Sequence, residues 1–84
     1  MKSVIVYTSP LCTYCVRAKQ LLQSLDIPFE EKDLSADPAL AESLSTKHHW
    51  RTVPMIFIGE EFIGGYDDLS ALNLSGELQK KLNG

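Results

Sequence analysis

Apolar residues form two kinds of pattern along the chain. Residues 4–7 and 55–58 are continuous apolar runs rich in β-branched and aromatic side chains, which predict buried strands. After the first run, apolar side chains recur at helical spacing along one face, at Cys15, Ala18, Leu22 and Leu25. We expect this helix to begin at Cys12 and to end before Pro28, because a proline disfavours helical geometry in the preceding residue.

The rest of the chain completes an alternating α/β pattern. Residues 29–34 predict a second strand whose charged centre suits the edge of a sheet. A helix is expected from Pro38 to about Thr46, since Asp37 can cap it and a proline at the first helical position costs no hydrogen bond. A hairpin into a strand at residues 61–63 and one or two short C-terminal helices follow. We therefore predict an α/β domain whose first β-α-β unit is parallel and right-handed.

Length and charge restrict the functional classes. With 84 residues, 44% of them hydrophobic and 23% charged, the chain is expected to fold as a single domain over residues 1–84. Its net charge of −3 and its scattered basic residues exclude the basic stripe of a nucleic-acid-binding protein. No apolar segment is long enough to span a bilayer or to serve as a signal peptide. We therefore expect a protein of the reducing cytoplasm, without membrane or nucleic-acid partners.

The two cysteines, Cys12 and Cys15, are the strongest chemical signal in the sequence. Their spacing places both on one side of a helix, within the range of a disulfide that can close and reopen. Cys12 would lie at the helix N-terminus, where free backbone N–H groups and the positive end of the helix dipole stabilise a thiolate. Cys15 lies on the apolar stripe and should be more buried. We therefore expect Cys12 to attack disulfides and Cys15 to resolve the mixed disulfide.

Three other interpretations of the cysteine pair carry less weight. A structural disulfide here would close a very short loop, and short loops add little stability. A structural zinc site would need four ligands, and the only two histidines, His48 and His49, are adjacent and lack the spacing typical of zinc ligands. A role as inert core residues would suit Cys15 but not Cys12, which lies at the start of the helix.

Further motifs match a known family. Tyr7-Thr8 precedes the Cys-x-Tyr-Cys element at residues 12–15, and three more motifs follow in order: Arg-Thr-Val-Pro at 51–54, Phe-Ile-Gly at 57–59 and Gly-Gly-x-Asp-Asp at 64–68. With these motifs the chain resembles a small dithiol glutaredoxin along essentially its whole length. The resemblance implies a thioredoxin-like fold, in which a four-stranded mixed sheet is flanked by three to four helices. It also implies a cis peptide bond before Pro54, although an ordinary proline at the start of a strand is an alternative.

The resemblance implies that glutathione is the co-substrate. Tyr14 would flank the reacting sulfur, Val53 would pair with the cysteinyl backbone, and the start of a late helix would hold the γ-glutamyl group. The positions that correspond to glutathione-binding residues of the family are Tyr14, Arg51, Thr52, Val53, Pro54, Gly65, Tyr66, Asp67 and Asp68. Helix capping is an alternative role for the two aspartates, and a solvated surface charge is an alternative for Arg51.

The chain departs from the common pattern of the family at several positions. Ser9 stands where many relatives carry a lysine that helps to hold the thiolate. Thr13 replaces the proline common in the cysteine motif, and Tyr66 occupies a position that is a cysteine in some relatives. Residues 47–50 are also unusual: their two histidines are expected at the surface, and their tryptophan would either cover the core or widen a partner surface.

The leading hypothesis is a glutathione-dependent thiol–disulfide oxidoreductase with no obligatory metal. It would act as a monomer on protein–glutathione mixed disulfides and on protein disulfides. Two alternatives stay open at this point. Cys12 and glutathione would hold a [2Fe–2S] cluster between two subunits, as in some members of the family. A redoxin reduced by thioredoxin reductase is the other alternative, although Arg51, Asp67 and Asp68 favour glutathione.

Overall fold

Strands and helices alternate along the chain in a computed structural model that describes residues 1–84. The elements are β1 (Val4–Thr8), α1 (Thr13–Ser24), β2 (Glu30–Asp33), α2 (Pro38–His48), β3 (Met55–Ile58), β4 (Glu61–Gly64), α3 (Tyr66–Ser75) and α4 (Glu77–Asn83). A 3-10 turn at Leu34–Ala36 connects β2 to α2. None of the helices is long and apolar enough to cross a membrane. Every predicted element is present, and the C-terminal apolar residues form two helices.

The four strands form one mixed sheet in the order β2-β1-β3-β4. Strand β1 pairs in parallel with β2 and antiparallel with β3, and β3 pairs antiparallel with β4. This topology confirms the parallel β-α-β unit and the terminal hairpin. All four residues of β2 are exposed, as expected for a charged edge strand, whereas all four residues of β3 are buried in the interior of the sheet.

The sheet separates two apolar clusters of unequal size. The larger cluster lies beneath α1, α3 and α4 and contains Val4, Val6, Ala18, Leu22, Ile27, Ile56, Ile58, Leu69, Leu78 and Leu82. The smaller cluster lies beneath α2 and contains Leu34, Met55 and Phe57. Helix α2 buries no residue completely, so Ile5 and Tyr7 are half-buried on its side of β1. The apolar run predicted a strand buried on both faces, and this holds fully for one face of β1 and in part for the other.

Helix α2 begins as predicted but ends two residues later. The Oδ1 atom of Asp37 accepts a hydrogen bond from the Leu40 N–H at 3.1 Å, and Pro38 is the first helical residue. The two additional residues extend the helix to His48, four residues after Leu44 and therefore on the face that Leu44 presents to the sheet. The ring of His48 is half-buried and stacks on Phe62 with a centroid distance of 4.6 Å.

The expectation that both histidines lie at the surface is therefore wrong for His48. Its imidazole covers the aromatic side of the smaller cluster, where it also contacts the edge of Phe57 at 5.2 Å. His49 is exposed as expected and ends α2 in a left-handed backbone conformation, with a φ of 53°. Sequence spacing did not indicate this difference, because the predicted helix ended before either residue.

Burial predicts very different costs for two leucines of α3. Leu69 is 0% exposed in the larger cluster, whereas Leu74 on the same helix is 84% exposed. We expect Leu69→Ala to lower the free energy of unfolding by about 2–5 kcal/mol, through lost burial and a residual cavity. Leu74→Ala should change it by less than about 0.5 kcal/mol. Urea unfolding of both variants measures this difference, and equal losses would contradict the assigned core.

Candidate active site

The sulfur of Cys12 caps the first helix of the protein. Cys12 has an extended backbone conformation directly before α1, and its Sγ accepts a hydrogen bond from the Cys15 N–H at 3.1 Å. The Cys12 thiol also lies 3.6 Å from the carbonyl oxygen of Val53, to which it donates. Val53 precedes Pro54 through the cis peptide bond that the resemblance implied. Two segments distant in sequence therefore meet at this half-buried sulfur.

The second thiol has a different environment. Cys15 is free, like Cys12, but it is only 2% exposed and faces the core from α1. Burial and, to a lesser extent, the hydrogen bond with Cys12 raise the pKa of the Cys15 thiol to about 12. The Ser9 backbone and the Lys19 ammonium act in the opposite direction. At neutral pH, Cys15 is therefore a protonated thiol.

A cleft of about 350 Å³ lies beside the Cys12–Val53 contact. Its walls are Tyr14, Trp50, Thr52, Val53, Pro54, Gly65, Tyr66, Asp67 and Asp68. The rings of Tyr14 and Tyr66 approach each other to a centroid distance of 6.3 Å, and the Arg17 guanidinium lies over the Tyr14 ring at 5.4 Å. We call this space the aromatic cleft. It brings together eight of the nine predicted glutathione-binding positions.

Arg51 is the predicted position that does not line the aromatic cleft. Its exposed side chain borders a neighbouring cavity of about 440 Å³, formed with Ser9, Ser45 and Met55 among others. Thr52 and Val53 line both spaces, so Arg51 lies beyond this two-residue wall. No group of three or more His, Cys, Asp or Glu side chains is arranged to hold a metal ion.

The N-terminus of α3 forms one end of the aromatic cleft. The Oδ2 atom of Asp68 accepts a hydrogen bond from the Gly65 N–H at 3.0 Å and so caps the helix, while Asp67 is exposed. Gly64 has a φ of 122°, and a Cβ there would collide with the Asp68 carboxylate. A glycine is thus required directly before this cap.

Trp50 is the cleft residue whose role the sequence left open. Its ring packs against Phe62 at a centroid distance of 5.6 Å and reaches across Gly65, where a Cβ would lie 3.2 Å from Cζ2. The side chain thus covers the smaller apolar cluster and also forms a wall of the aromatic cleft. Its buried Nε1 atom has no hydrogen-bond partner.

Comparison with known proteins places this geometry in a family. A family model described as Glutaredoxin matches residues 4–63, which contain both cysteines and all of the sheet except Gly64, the last residue of β4. The chain belongs to the glutaredoxin family. It is 45% identical over 83 residues to a glutaredoxin of Pseudomonas aeruginosa, covering 99% of each chain. It is 42% identical over 82 residues to glutaredoxin 3 of Escherichia coli K12, covering 98% of this chain and 99% of that protein.

Solved structures of glutaredoxins share the fold. The solution structure of glutaredoxin from Brucella melitensis superposes with a TM-score of 0.87 at 43% identity, covering 100% of this chain and 94% of that one. The crystal structure of a buckwheat glutaredoxin–glutathione complex superposes with a TM-score of 0.91 at 29% identity, covering 98% of this chain and 77% of that one. The thioredoxin-like fold is therefore confirmed. As a glutaredoxin, the chain is a glutathione-dependent thiol–disulfide oxidoreductase.

A second cleft of this glutaredoxin contacts both cysteines and shares no lining residue with the aromatic cleft. It measures about 650 Å³ and is lined by Thr8, Ser9, Pro10, Leu11, Cys12, Thr13, Cys15, Val16, Lys19, Glu31 and Asp33. We call it the dithiol cleft. Within it, Glu31 Oε2 accepts hydrogen bonds from Thr8 Oγ1 at 2.9 Å and from Lys19 Nζ at 3.0 Å. These bonds, chiefly that from Lys19, lower the pKa of the Glu31 carboxyl.

Sequence reasoning did not select Lys19 or Glu31, which line the cleft of the two thiols, or Arg17, which lies over Tyr14. Lys19 follows Cys15 by one helical turn, so its proximity could have been inferred from spacing. Glu31 depends on the register of the parallel pair, in which it lies opposite Val6. Nothing in the local sequence determines that register, because it follows from how the two strands pack in the folded sheet.

The two thiols should differ sharply in alkylation. With iodoacetamide at neutral pH, we expect Cys12 to be modified and Cys15 to remain free, because alkylation consumes the thiolate and a raised pKa keeps Cys15 protonated. Reactivity of Cys15, isolated in Cys12→Ser, should increase as the pH rises above neutral, because burial still keeps the pKa of this thiol raised. Peptide mass spectrometry identifies the adducts, with urea-unfolded protein as the control in which both residues react. Equal rates in the native state would contradict the site geometry.

Proposed function

We propose that the Cys12 thiolate attacks the glutathione sulfur of a protein–glutathione mixed disulfide. The protein thiol leaves, and a glutathione thiolate then reduces the glutathione adduct on Cys12, which releases oxidised glutathione. The observation that carries this proposal is the position of the Cys12 sulfur as the cap of α1, where it accepts the Cys15 N–H. Unpaired N–H groups and the positive helix end favour a thiolate there.

Protein disulfides follow a second route that uses both cysteines. Cys12 forms a mixed disulfide with the substrate, and Cys15 then attacks the Cys12 sulfur to release the reduced substrate. The buried, protonated state of Cys15 supports this division of labour, because a protonated thiol does not compete with Cys12 for the first attack. The cap geometry also holds the two residues within one helical turn.

The aromatic cleft is the proposed site for the glutathionyl group. Its backbone wall at Val53 can pair with an extended cysteinyl residue, while Tyr14, Thr52, Pro54 and Tyr66 enclose the apolar part. That the buckwheat relative was crystallised with glutathione supports this choice of ligand.

The N-terminus of α3 would bind the γ-glutamyl end of glutathione. Backbone N–H groups of the first turn, at Tyr66 and Asp67, suit the carboxylate. Both aspartates are exposed at the cleft, but Asp68 already uses one carboxylate oxygen to cap α3, so we assign the ammonium contact to Asp67. The glycine carboxylate would lie toward Thr52 and Arg51, since Arg51 borders the cavity on the far side of that wall.

A single chain suffices for this chemistry. We propose that residues 1–84 act as one monomeric glutaredoxin domain on glutathionylated or disulfide-containing proteins of the cytoplasm. Each chain offers one accessible thiol, Cys12, because Cys15 is buried. A cluster with four thiolate ligands would therefore need two chains and two external thiols. Thiol exchange needs no such assembly, and for this reason we favour it over the iron–sulfur alternative.

Removing the resolving cysteine should separate the two reactions. We expect Cys15→Ser to keep glutathione-dependent reduction of a glutathionylated protein, because that route uses only Cys12. Reduction of a protein disulfide should fall by at least about tenfold, since no thiol remains to resolve the mixed disulfide. Cys12→Ser is the control and should lose both activities. Loss of both activities in Cys15→Ser would overturn the assignment of roles.

The choice of reductant tests the proposed function as a whole. Oxidised protein is mixed with glutathione and glutathione reductase, or with thioredoxin reductase, and NADPH consumption is followed. We expect turnover with glutathione and little with thioredoxin reductase, because the aromatic cleft offers a peptide-sized site beside Cys12. Turnover by thioredoxin reductase alone would instead favour a dedicated redoxin.

A further inference from the structure

In the resolving step Cys15 must act as a thiolate, but its buried position disfavours a negative charge on its sulfur. Cys15 must lose its proton before it can attack, yet its side chain is only 2% exposed. Burial disfavours a thiolate, so the step depends on whatever nearby groups stabilise the negative charge. The aromatic cleft supplies none, since Cys15 is not among its lining residues. Cys15 does line the dithiol cleft.

Lys19 is the cation of the dithiol cleft. It follows Cys15 by one turn on α1, so the two side chains share a helix face. Its ammonium is fixed by the 3.0 Å bond to Glu31, which is itself held by the Thr8 hydroxyl at 2.9 Å. Thr8 is 3% exposed at the end of β1, so the arrangement has a rigid base.

Lys19 is the only cationic side chain that lines the dithiol cleft. Helix α1 contributes Lys19 and the Cys15 thiol, and β2 contributes Glu31 and Asp33. The segment between β1 and α1 contributes the Cys12 thiol and otherwise only uncharged side chains. Both carboxylates disfavour a thiolate. Glu31 is also a weak base, because the hydrogen bonds from Lys19 and Thr8 lower its pKa. The remaining favourable charge is the Lys19 ammonium.

We propose that Lys19, held in place by Glu31 and Thr8, is a positioning residue for the resolving step that stabilises the Cys15 thiolate electrostatically. The inference rests on the proposed function only in taking Cys15 as the resolving thiol. In the mixed disulfide, Cys12 is bonded to a substrate sulfur and carries no charge, so it no longer disfavours a thiolate on Cys15. The backbone of Ser9 and the Lys19 ammonium are then the groups that oppose the effect of burial.

The step balances without another reactant. The Cys15 thiol loses its proton to water in the dithiol cleft, and the thiolate attacks Cys12 Sγ. The Cys12–Cys15 disulfide bond forms as the bond from Cys12 to the substrate sulfur breaks. The substrate sulfur leaves with the electron pair as a thiolate, so it is reduced while Cys15 is oxidised.

The reactions of the two cysteines can be followed separately, as two successive increases in absorbance after an aromatic disulfide is added. The symmetrical disulfide of thionitrobenzoate releases one coloured thiolate when Cys12 attacks and a second when Cys15 resolves the adduct. We expect Lys19→Met to slow the second phase roughly three- to tenfold, as befits loss of one nearby charge. The first phase should change less. The pH profile of the second phase should move to higher pH, because removal of a cation makes the Cys15 thiolate harder to form.

Two further variants separate this role from a structural one. Lys19→Arg keeps the charge and should restore the second phase. Lys81→Met removes a comparable ion pair, to Glu61 at 2.6 Å, from a lysine side chain that is 29% exposed against 28% for Lys19. It should leave both phases within about twofold of the wild-type rates. Thermal unfolding of each variant checks that the fold is kept, and Lys19→Gln replaces Lys19→Met if the latter does not fold.

The outcomes are distinguishable from a failure of the proposed function. A second phase with an unchanged rate and pH profile in Lys19→Met would overturn the role of Lys19. Equal slowing of both phases, or equal slowing in Lys81→Met, would also overturn it, because the effect would not be specific to Cys15. Absence of the second phase in the wild-type protein would instead contradict Cys15 as the resolving thiol. The same experiment in Cys15→Ser should show the first phase alone.

Discussion

The hydrogen bond from the Cys15 N–H to the Cys12 sulfur connects the fold to the chemistry. Helix N-termini in proteins are usually capped by an oxygen of serine, threonine, aspartate or asparagine. Here a sulfur fills that position, so the hydrogen bond that begins α1 is made to the sulfur of one of the two cysteines. The carbonyl of Val53 and the aromatic cleft are arranged around this point, and α1 is anchored there by the core beneath it.

The two cysteines are only three residues apart but differ in solvent exposure. Cys12 lies outside the first turn, where it meets a cleft and free backbone donors. Cys15 points into the protein, where loss of hydration keeps its thiol protonated. The difference arises because Cys12 precedes the helix in an extended conformation, whereas Cys15 lies within α1 on its buried face. The dithiol cleft then offsets part of that cost, with Lys19 as its cation.

Most of the fold followed from local pattern. The apolar runs of β1 and β3, the stripe on α1 and the Asp37-Pro38 start of α2 were all recognisable, because each reflects short-range geometry. The pattern was less informative where a side chain depends on distant partners. His48 was expected at the surface, yet it stacks on Phe62, which reaches it only after β4 has paired with β3.

The sequence by itself determined which residues are candidates for the chemistry and on which elements they lie. The cysteine spacing, the apolar stripe of α1 and the family motifs were enough to select these candidates. Helix caps and the periodicity of side chains in helices and strands depend on residues only a few positions apart. Only the tertiary structure decided which of these residues meet. It brought Val53 to Cys12, placed Arg51 outside the aromatic cleft and set Glu31 beside Lys19. The physical reason is that strand register and packing between layers depend on contacts distant in sequence, which no local pattern encodes.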